Sequence, residues 1–439
     1  MSSAVLILAI ALTATPATAT ISLQDALARA RNFSPQVQSA SIAAAVARED
    51  RVQAKAATLP SVNGLNQFIY TEGNGTPSGV FVANDGVHVY NEQLNGHEEL
   101  LALIRRGEVR AAAAAEAVAK AKVDIATRGL DLTVTQDYYG VAAAERKIAN
   151  AQTSLDDARH FLDITQKQEQ GGEVAHADVI KAQIQVQQRE RDLEDAQLAV
   201  QKAKLALAVL IFPALRLDFE IVDDLSAPPA PLAPEATALA TANNPDVRAA
   251  RANVSQSRLG VTVARYAYLP SFALDVFYGI DANQFAARTD SPTEATGRST
   301  LPHFEVPYRQ NLGYVAQATL NIPLWNWGSI HSKVKQAELR ARQADLDLSS
   351  AQKQLDADLS SADAEARTAL SQVESLRSSA DLSSESLHLT ELRYQAGEAT
   401  VLEVVDAQTT AAQARGAYVD GLLRYRVALA NLQALTGRP

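Results

Sequence analysis

The feature that most constrains this chain is an internal duplication. Residues 32–61 align without a gap, at an offset of 210, with residues 242–271. Residues 166–183 align with residues 391–408 at an offset of 225. Self-similarity of this kind means that the sequence encodes one structural unit twice. The fold must therefore be built from two copies of the same arrangement.

The duplication predicts a three-part organisation. Residues 1–19 contain a short apolar run that ends in Ala17-Thr18-Ala19, a small-residue site like those at which secretory signal peptides are cleaved. We expect a signal peptide at 1–19, a first repeat at 20–226 and a second repeat at 227–439. The second repeat opens with a linker, 227–234, that is too rich in proline for a helix or a central strand. The alternative for the apolar run is a short buried helix.

Each repeat is predicted to run helix, strand, loop, strand, very long helix, tight turn and helix. No proline occurs between Pro77 and Pro213 or between Pro323 and Pro439, so long uninterrupted helices are allowed. Residues 329–396 contain neither proline nor glycine. As one helix they would span about 100 Å, which no compact domain requires.

Apolar residues along this stretch recur at spacings of four and three, as in a coiled coil. The seam positions are Ile330, Val334, Ala337, Ala341, Ala344, Leu348, Ala351, Leu355, Leu359, Ala362, Ala366, Ala369, Val373, Leu376 and Ala380. Two successive spacings of four, Ala351-Leu355-Leu359, locally unwind a supercoil, so neighbouring helices can run nearly parallel to a cylinder axis. An ordinary coiled-coil rod would explain the heptads but neither the strands nor the duplication.

Four segments are predicted to be strands. Residues 61–70, 271–280 and 312–324 alternate apolar with small or polar side chains, and a fourth, less defined strand is expected between residues 80 and 94. Such alternation is typical of membrane barrel strands, although a soluble antiparallel sheet gives the same pattern. The intervening loops, 71–79 and 281–310, have the Gly, Pro, Asn and Ser content of exposed tips.

No later segment has the ~20 consecutive apolar residues of a membrane-spanning helix, so any crossing of a membrane must use strands. Four strands cannot close a barrel, because open edges would leave unpaired amides and carbonyls in lipid. Membrane barrels have at least about eight strands. Several chains would therefore have to share one barrel.

Composition excludes several classes of function. The chain has 40 Lys and Arg against 50 Asp and Glu, a net charge of -10, which opposes a nucleic-acid partner. The absence of cysteine rules out thiol catalysis, Cys-ligated metals, disulfides and lipid attachment through cysteine. The glycine-rich segment 73–79 lacks the spacing of a nucleotide loop, and His176 with Asp178 lacks a third metal ligand. We therefore expect no enzyme activity, no cofactor and no metal.

The chain resembles the TolC-type outer-membrane efflux proteins over essentially all of its mature length. The resemblance is carried by 320–330 (LNIPLWNWGSI), 334–338 (VKQAE), 394–397 (YQAG), 402–408 (LEVVDAQ) and the paired Asn-x-Pro and Leu-Pro-Ser blocks. One departure is Gln93-Leu94-Asn95-Gly96, which stands where the family's second strand usually ends in Pro-Leu-hydrophobic.

The resemblance implies a mainly α fold with membrane β: a duplicated unit of long α-helical hairpins plus two β-strands. It implies a homotrimer whose twelve-stranded β-barrel is continued by an α-helical tunnel. It further implies a passive export duct in the outer membrane of a Gram-negative-type bacterium, with the tunnel in the periplasm. The implied partners are a periplasmic adaptor (membrane fusion) protein, an inner-membrane pump and outer-membrane lipid. The alternative is a secreted periplasmic coiled-coil structural or adaptor-like protein, for which one helical hairpin flanked by β-rich domains would be expected.

Two glycines are predicted to form the turns between each long helix and the next helix. Gly172 and Gly397 can adopt a positive φ at a helix end, and Glu173 or Glu398 is expected to start the following helix, where a negative charge meets the dipole favourably. By resemblance, these turns are where an adaptor docks. The alternative is a plain helix-ending glycine with no partner.

Four residues near these turns are candidates for a lumen gate or selectivity site. Glu403 and Asp406 lie six and nine residues after Gly397, where the resembled ducts place carboxylates in the lumen. The first repeat offers Asp178 at the equivalent of Glu403 but Lys181 at that of Asp406. By the same resemblance Tyr394 matches a gate residue, whereas Ala399 replaces a basic residue that often stands there. The alternative is that the three acids are ordinary solvent-facing carboxylates.

Trp325 and Trp327 flank the end of the last predicted strand. Amphipathic indoles are enriched at membrane interfaces, so both are predicted to be interfacial anchors. The alternative is packing at a strand-to-helix corner.

Overall fold

The computed structural model describes residues 19–70, 88–100, 103–226, 244–282 and 312–436. The expected signal peptide up to residue 18, the loop at 71–79, the linker at 227–234 and most of the loop at 281–310 lie outside the described residues.

In the first repeat, five shorter elements precede a long helical hairpin. Its elements are β1 Ala19–Ile21, α1 Leu23–Phe33, α2 Pro35–Ala56, β2 Ser61–Tyr70, β3 His88–Glu99, α3 Leu103–Gln170 and α4 His176–Ile211. The break between α1 and α2 falls at Ser34, because a residue before proline is pushed out of the helical region; its φ is -64° and its ψ is 118°.

Strand β4, Phe219–Ile221, ends the first repeat. The second repeat then follows the order of the first from its 22-residue helix onward. Its described elements are α5 Pro245–Tyr266, β5 Ser271–Ala282, β6 Leu312–Asn321, α6 Ser329–Gln395 and α7 Val401–Thr436. The helix predicted over 329–396 is confirmed to within one residue, since proline and glycine mark its ends. Strand β6 ends at Asn321, three residues before the predicted end, because Pro323 has no amide for the ladder.

The chain forms two compact units, and each draws on both repeats. The helical unit comprises Met1–Ala44, Ala119–Ala250 and Leu348–Pro439, and the sheet unit comprises Ala45–Val118 and Arg251–Asp347. Each is described separately below.

The sheet unit contains a four-stranded antiparallel sheet in the order β2-β3-β5-β6. Strand β3, whose position the sequence left open, pairs with β2 on one side and β5 on the other. It extends five residues beyond the expected limit of Leu94 and includes the atypical segment 93–96. Polar residues enter this strand because ladder hydrogen bonds on both sides, rather than its own pattern, hold it in place.

The two faces of the sheet differ in chemistry, as period-two alternation requires. One face carries Val62, Leu94, Phe272, Leu274, Val276, Tyr278, Tyr314 and Leu320. The other carries Asn63, Asn95, His97, Asp275, Gln317 and Thr319. On this polar face His97 Nδ1 lies 2.6 Å from Asp275 Oδ1, its cross-strand neighbour.

The main core of the helical unit encloses a parallel two-stranded ribbon of β1 and β4. The hydroxyl of Tyr138, on α3, lies 2.8 Å from the carbonyl oxygen of Val222 and 3.2 Å from that of Ile21. Burial raises the pKa of Tyr138 to about 12. Arg426 of α7 donates to the carbonyl oxygens of Leu225 and Asp224, so a buried guanidinium satisfies two carbonyls just after β4.

Along α6 every predicted seam position is buried or partly buried. The buried members are Ala344, Leu355, Leu359, Ala366, Ala369 and Ala380. Alanine recurs among them because a small side chain lets the backbones of long helices approach closely. Within the described residues, no helix is both long enough and apolar enough to span a lipid bilayer.

Candidate functional site

The two inter-helical turns of the helical unit end their long helices with the same backbone motif. At the first turn, the N–H of Gly172 donates to the Glu169 carbonyl (2.9 Å) and the N–H of Glu173 donates to the Gln168 carbonyl (2.9 Å). Gly172 has a φ of 76°. These bonds form a Schellman motif, which satisfies two carbonyls at the end of α3.

The second turn repeats this geometry. The N–H of Gly397 donates to Tyr394 (3.0 Å), the N–H of Glu398 donates to Arg393 (2.8 Å), and Gly397 has a φ of 77°. The predicted positive φ of both glycines is confirmed. A Cβ added at either position would meet no atom within 4 Å, so conformation, not space, favours glycine here.

The expectation that Glu173 or Glu398 starts the next helix is wrong. Both residues supply the second amide of the Schellman motif, which keeps them in the turn, and the helices begin at His176 and Val401. The acids in the first turns of those helices are Asp178 and Glu403.

The two turns differ at the start of the following helix. At α7 the N–H of Glu403 donates to the Thr400 hydroxyl (3.3 Å), while Glu403 Oε1 accepts from the Thr400 N–H (3.2 Å) and hydroxyl (3.0 Å). This reciprocal pair is a capping box. At α4 the corresponding cap is Ala175, which offers no side-chain hydrogen bond.

Charged side chains also brace the two turns differently. At the second turn Arg393 donates to the Glu398 carbonyl (3.1 Å), and its guanidinium lies 3.6 Å from the Glu403 carboxylate. At the first turn His176 Nδ1 lies 2.6 Å from Glu169 Oε1. Arg393 therefore contacts both the second turn and the helix that follows it. At the first turn, the corresponding link between the two helices is the contact of His176 with Glu169.

Tyr394 is placed in a core that both turns share. Its ring is 4% exposed and meets the Phe161 ring edge-on, with centroids 5.0 Å apart. Ala182, Val401 and Val404 complete this cluster around it. Burial raises the pKa of Tyr394, and the nearby charge of Asp178 raises it further. The structure thus brings Tyr394 of the second repeat into contact with Phe161 of the first.

Glu403 and Asp406 are both exposed and lie three residues apart on α7, on one side of the helix. They are not equivalent, because Glu403 is turned back onto Thr400 and these hydrogen bonds lower its pKa. No described residue forms a hydrogen bond or an ion pair with the Asp406 carboxylate. Asp178 is half-buried and has Lys181 Nζ at 3.4 Å.

A family match covers the part of the chain that contains the second turn. The sequence pattern of the family described as "Outer membrane efflux protein" matches residues 237–438, nearly all of the second repeat. The second repeat is therefore similar to that family.

Two relatives illustrate the extent of the family likeness. The pyoverdine export outer membrane protein OpmQ of Pseudomonas aeruginosa is 26% identical over 415 residues, or 91% of this chain and 81% of that protein. The OpmQ of Pseudomonas putida is 26% identical over 309 residues, or 69% of this chain; this alignment spans 59% of that protein, less than two thirds of its length.

A solved structure has the same fold. The crystal structure of the outer membrane protein VceC from Vibrio cholerae matches with a TM-score of 0.79 at 18% identity, covering 95% of this chain and 96% of that chain. This likeness extends over both repeats.

The paired tryptophans lie between β6 and α6. Trp325 is 76% exposed and Trp327 89% exposed, and their rings meet edge-on with centroids 5.7 Å apart. Trp327 has a φ of 52°, a left-handed conformation that bulky side chains rarely adopt. In the isolated chain they pack against each other.

Sequence reasoning missed the polar contacts that support the site. The capping box has a recognisable local signature, Thr400-x-x-Glu403, which could have been found. No such signal exists for Arg415, which joins Asp157 of the other hairpin at 3.2 Å, because the two residues are far apart in sequence. Among the described residues, no three His, Asp or Glu side chains converge as a metal site.

Proposed function

We propose that this protein is an outer-membrane export duct of a tripartite efflux or secretion system. Passive transport through it would be driven by an inner-membrane pump, and the duct itself performs no chemistry. The observation that carries the proposal is a four-stranded sheet with one apolar face, whose strands lead into helices of 68 and 67 residues. Each of those helices is about 100 Å long at 1.5 Å per residue.

The proposed assembly is a homotrimer. Strands β2 and β6 each pair on one side only within the described sheet, and such edges cannot face lipid unpaired. Three copies joined edge to edge would give a twelve-stranded barrel with the apolar face outward and the polar face toward the lumen. Twelve lies within the range of membrane barrels.

We assign the turns at Gly172 and Gly397 to adaptor docking. Both present an exposed glycine with no side chain in the way, on a backbone fixed by two hydrogen bonds. An adaptor helix can therefore approach either turn closely. The pump would reach the duct through this adaptor.

We assign Asp178, Tyr394, Glu403 and Asp406 to the closed end of the tunnel. Tyr394 fills the core between the two hairpins, so opening the duct requires it to leave Phe161. In a trimer, the exposed carboxylates of Glu403 and Asp406 would form two stacked rings of three. Such rings attract cations, because a narrow low-dielectric throat focuses their field.

We assign Trp325 and Trp327 to anchoring at the membrane interface. They are exposed beside the end of β6, where an indole placed at headgroup level gains both apolar and polar contacts.

The test is whether the protein forms a membrane-inserted oligomer. We expect extraction from membranes only with detergent, and an SDS-resistant species near three times the chain mass of 46.9 kDa that collapses on heating. Val276→Pro, which removes a ladder amide from the central strand β5, should abolish that species, whereas Val276→Ala should retain it. A soluble protein indifferent to Val276→Pro would favour the adaptor-like coiled-coil alternative.

A further inference from the structure

The strand–helix junctions of the sheet unit all lie at the same end of the sheet, where β2 and β5 begin and β3 and β6 end. The antiparallel register pairs Ser61 with His97, Glu99 with Ala273 and Ser271 with Asn321. The starts of β2 and β5 are therefore beside the ends of β3 and β6. Arg105 at the start of α3 donates to the Ala57 carbonyl after α2 (2.9 Å), which confirms that neighbouring junctions meet.

These junctions expose large apolar side chains. The exposed residues are Leu59, Leu100, Tyr268, Leu269, Ile322, Leu324, Trp325 and Trp327. They lie just beyond the ends of the paired strands. Leu324 is 87% exposed and points to no described partner cluster, so this rim is uncovered in the isolated chain.

Trp327 adds an independent sign that the rim has a function. A tryptophan with a φ of 52° is strained, and the following Gly328, at 80°, shows that the backbone here requires the left-handed region twice. Glycine would suit position 327 better. A bulky, almost fully exposed aromatic in a strained conformation indicates that its side chain is retained for an external contact.

Basic residues lie in the first or last turns of the helices next to this rim. Lys55 is in the last turn of α2, Arg106 in the first turn of α3, and Lys333 and Lys335 in the first two turns of α6. All four are exposed, and no carboxylate among the described residues lies within ion-pair distance of them. Arg105 and Arg265, by contrast, are paired with Glu99 and Glu338.

This distribution is unusual for an acidic chain. The net charge of the whole chain is -10, yet Lys55, Arg106 and Lys333 form no ion pair among the described residues, and the carboxylate that Lys335 faces, Glu338, is already paired with Arg265. An apolar aromatic rim followed within one or two helical turns by lysine and arginine matches the two layers of a phospholipid surface, acyl chains and then phosphate.

We propose that this junction belt, formed by Lys55, Arg106, Lys333 and Lys335 with Trp325 and Trp327, binds the headgroups of anionic phospholipids at the membrane surface where the strands end. The inference rests on the proposed membrane insertion and adds a lipid preference to it. The lysines and Arg106 contact the phosphates, and the two indoles lie among the glycerol and upper acyl groups.

The test uses the purified full-length protein and two kinds of vesicle. One is phosphatidylcholine alone, and the other is equal parts phosphatidylcholine and phosphatidylglycerol. Insertion is measured by co-flotation over a range of salt. We expect binding to the anionic vesicles to be stronger and to weaken with salt, whereas insertion into neutral vesicles should be nearly independent of salt.

Matched variants locate the effect. Lys333→Gln with Lys335→Gln should reduce the preference for anionic vesicles about tenfold or more, because each cation near such a surface contributes on the order of 1 kcal/mol. Lys353→Gln with Arg377→Gln changes two exposed cations farther along α6 and should leave the preference unchanged. Trp327→Gly should weaken binding to both vesicles without unfolding the protein, since it relieves the strained φ.

The outcomes separate the two proposals. Equal insertion into both vesicles by the unaltered protein overturns the lipid preference but leaves the duct intact. Failure to insert into either vesicle overturns the proposed function itself. If the Lys333/Lys335 variant loses its SDS-resistant oligomer in neutral vesicles as well, the belt faces a second copy of the chain, and the lipid assignment is wrong.

Discussion

The turns at Gly172 and Gly397 share one backbone motif but differ in the side chains that surround it. Both end a helix of almost 70 residues with a left-handed glycine and the same pair of amide-to-carbonyl bonds. Only the second adds a capping box and an arginine brace. Duplication has thus preserved what only glycine can do, while the side chains around each turn diverged.

This difference assigns separate tasks to the two repeats. The second turn starts α7 with a fixed carboxylate at Glu403, a further exposed acid at Asp406 and the buried Tyr394 just before the glycine. The first turn has Ala175 at the cap and Lys181 where a second acid would stand. The second repeat therefore supplies the preorganised half of the proposed gate, and the first supplies its counterpart.

The largest expected effect comes from the feature that the turns share. Gly172→Leu and Gly397→Leu should each abolish export while trimers still assemble, because the bulky side chain obstructs docking and a left-handed L-residue costs about 1–2 kcal/mol. Gly→Ala at the same positions should keep export, since it adds the strain with little bulk. Export and trimer content would be measured in cells that carry the whole system.

Gly416→Ala is the matched control for these variants. Gly416 lies within α7, and a Cβ there meets no atom within 4 Å, so alanine should be neutral or stabilising. Unimpaired export in the two leucine variants would reject docking at the turns and leave two plain helix-ending glycines.

A second large effect should distinguish packing from hydrogen bonding at Tyr394. Tyr394→Ala should destabilise the turn region by about 3–5 kcal/mol, as expected for truncation of a buried aromatic. Tyr394→Phe should leave stability nearly unchanged, because the hydroxyl makes no hydrogen bond of regular geometry among the described residues, although Thr165 is close. Denaturant titration followed by Phe and Tyr fluorescence would measure both. A large loss in Tyr394→Phe would show that the hydroxyl, rather than the ring, holds the two hairpins together.

Exchanging the caps would test the comparison itself. Thr400→Ala should destabilise the start of α7 by about 1 kcal/mol, and Ala175→Ser should stabilise the start of α4 by a similar amount, because Asp178 already occupies the third position of a capping box. Hydrogen exchange of the amides in each first turn reports these changes locally. If Ala175→Ser has no effect, the cap is not what distinguishes the two turns.

The smallest effect concerns pH at the second turn. Hydrogen bonds from Thr400, aided by the Arg393 charge, hold the pKa of Glu403 below its usual value. A lowered folded-state pKa means that the stabilisation is present above the unfolded value near 4.5 and is lost as pH falls through the folded value. Amide exchange at the start of α7 should therefore rise only in that acidic range. In Glu403→Gln this dependence should disappear; its persistence would assign the titration to another group.

The sequence predicted the parts of the fold that local chemistry determines. Strand β2 matches 61–70 and helix α6 begins at 329 as expected, since proline, glycine and apolar period mark these elements within the chain itself. Strand β3 was placed only loosely, between residues 80 and 94, because its polar pattern becomes a strand only between β2 and β5. The ribbon of β1 and β4 was not predicted either, because each strand has only three residues and the two strands are far apart in sequence.

The candidate site was predicted at the level of backbone more than of side chains. Glycine adopts a positive φ more readily than other residues, so a glycine directly after a long helix predicts a turn, and both turns were located from the sequence. The difference between Glu403 and Asp406 could not be predicted, because helical periodicity places both residues on the same face. It depends on the hydrogen bonds that turn the Glu403 carboxylate back onto Thr400. The contact of Tyr394 with Phe161 joins the two repeats, and no local pattern encodes it.

The most direct test is the conductance of the purified protein in planar bilayers. We predict long-lived, cation-selective channels that multivalent cations block from the turn side. Glu403→Gln with Asp406→Asn should remove the block and weaken the selectivity, with Asp406→Asn alone giving the larger part, whereas Asp178→Asn in the first repeat should retain both. The absence of channels, or a block that survives the double variant, would contradict the account.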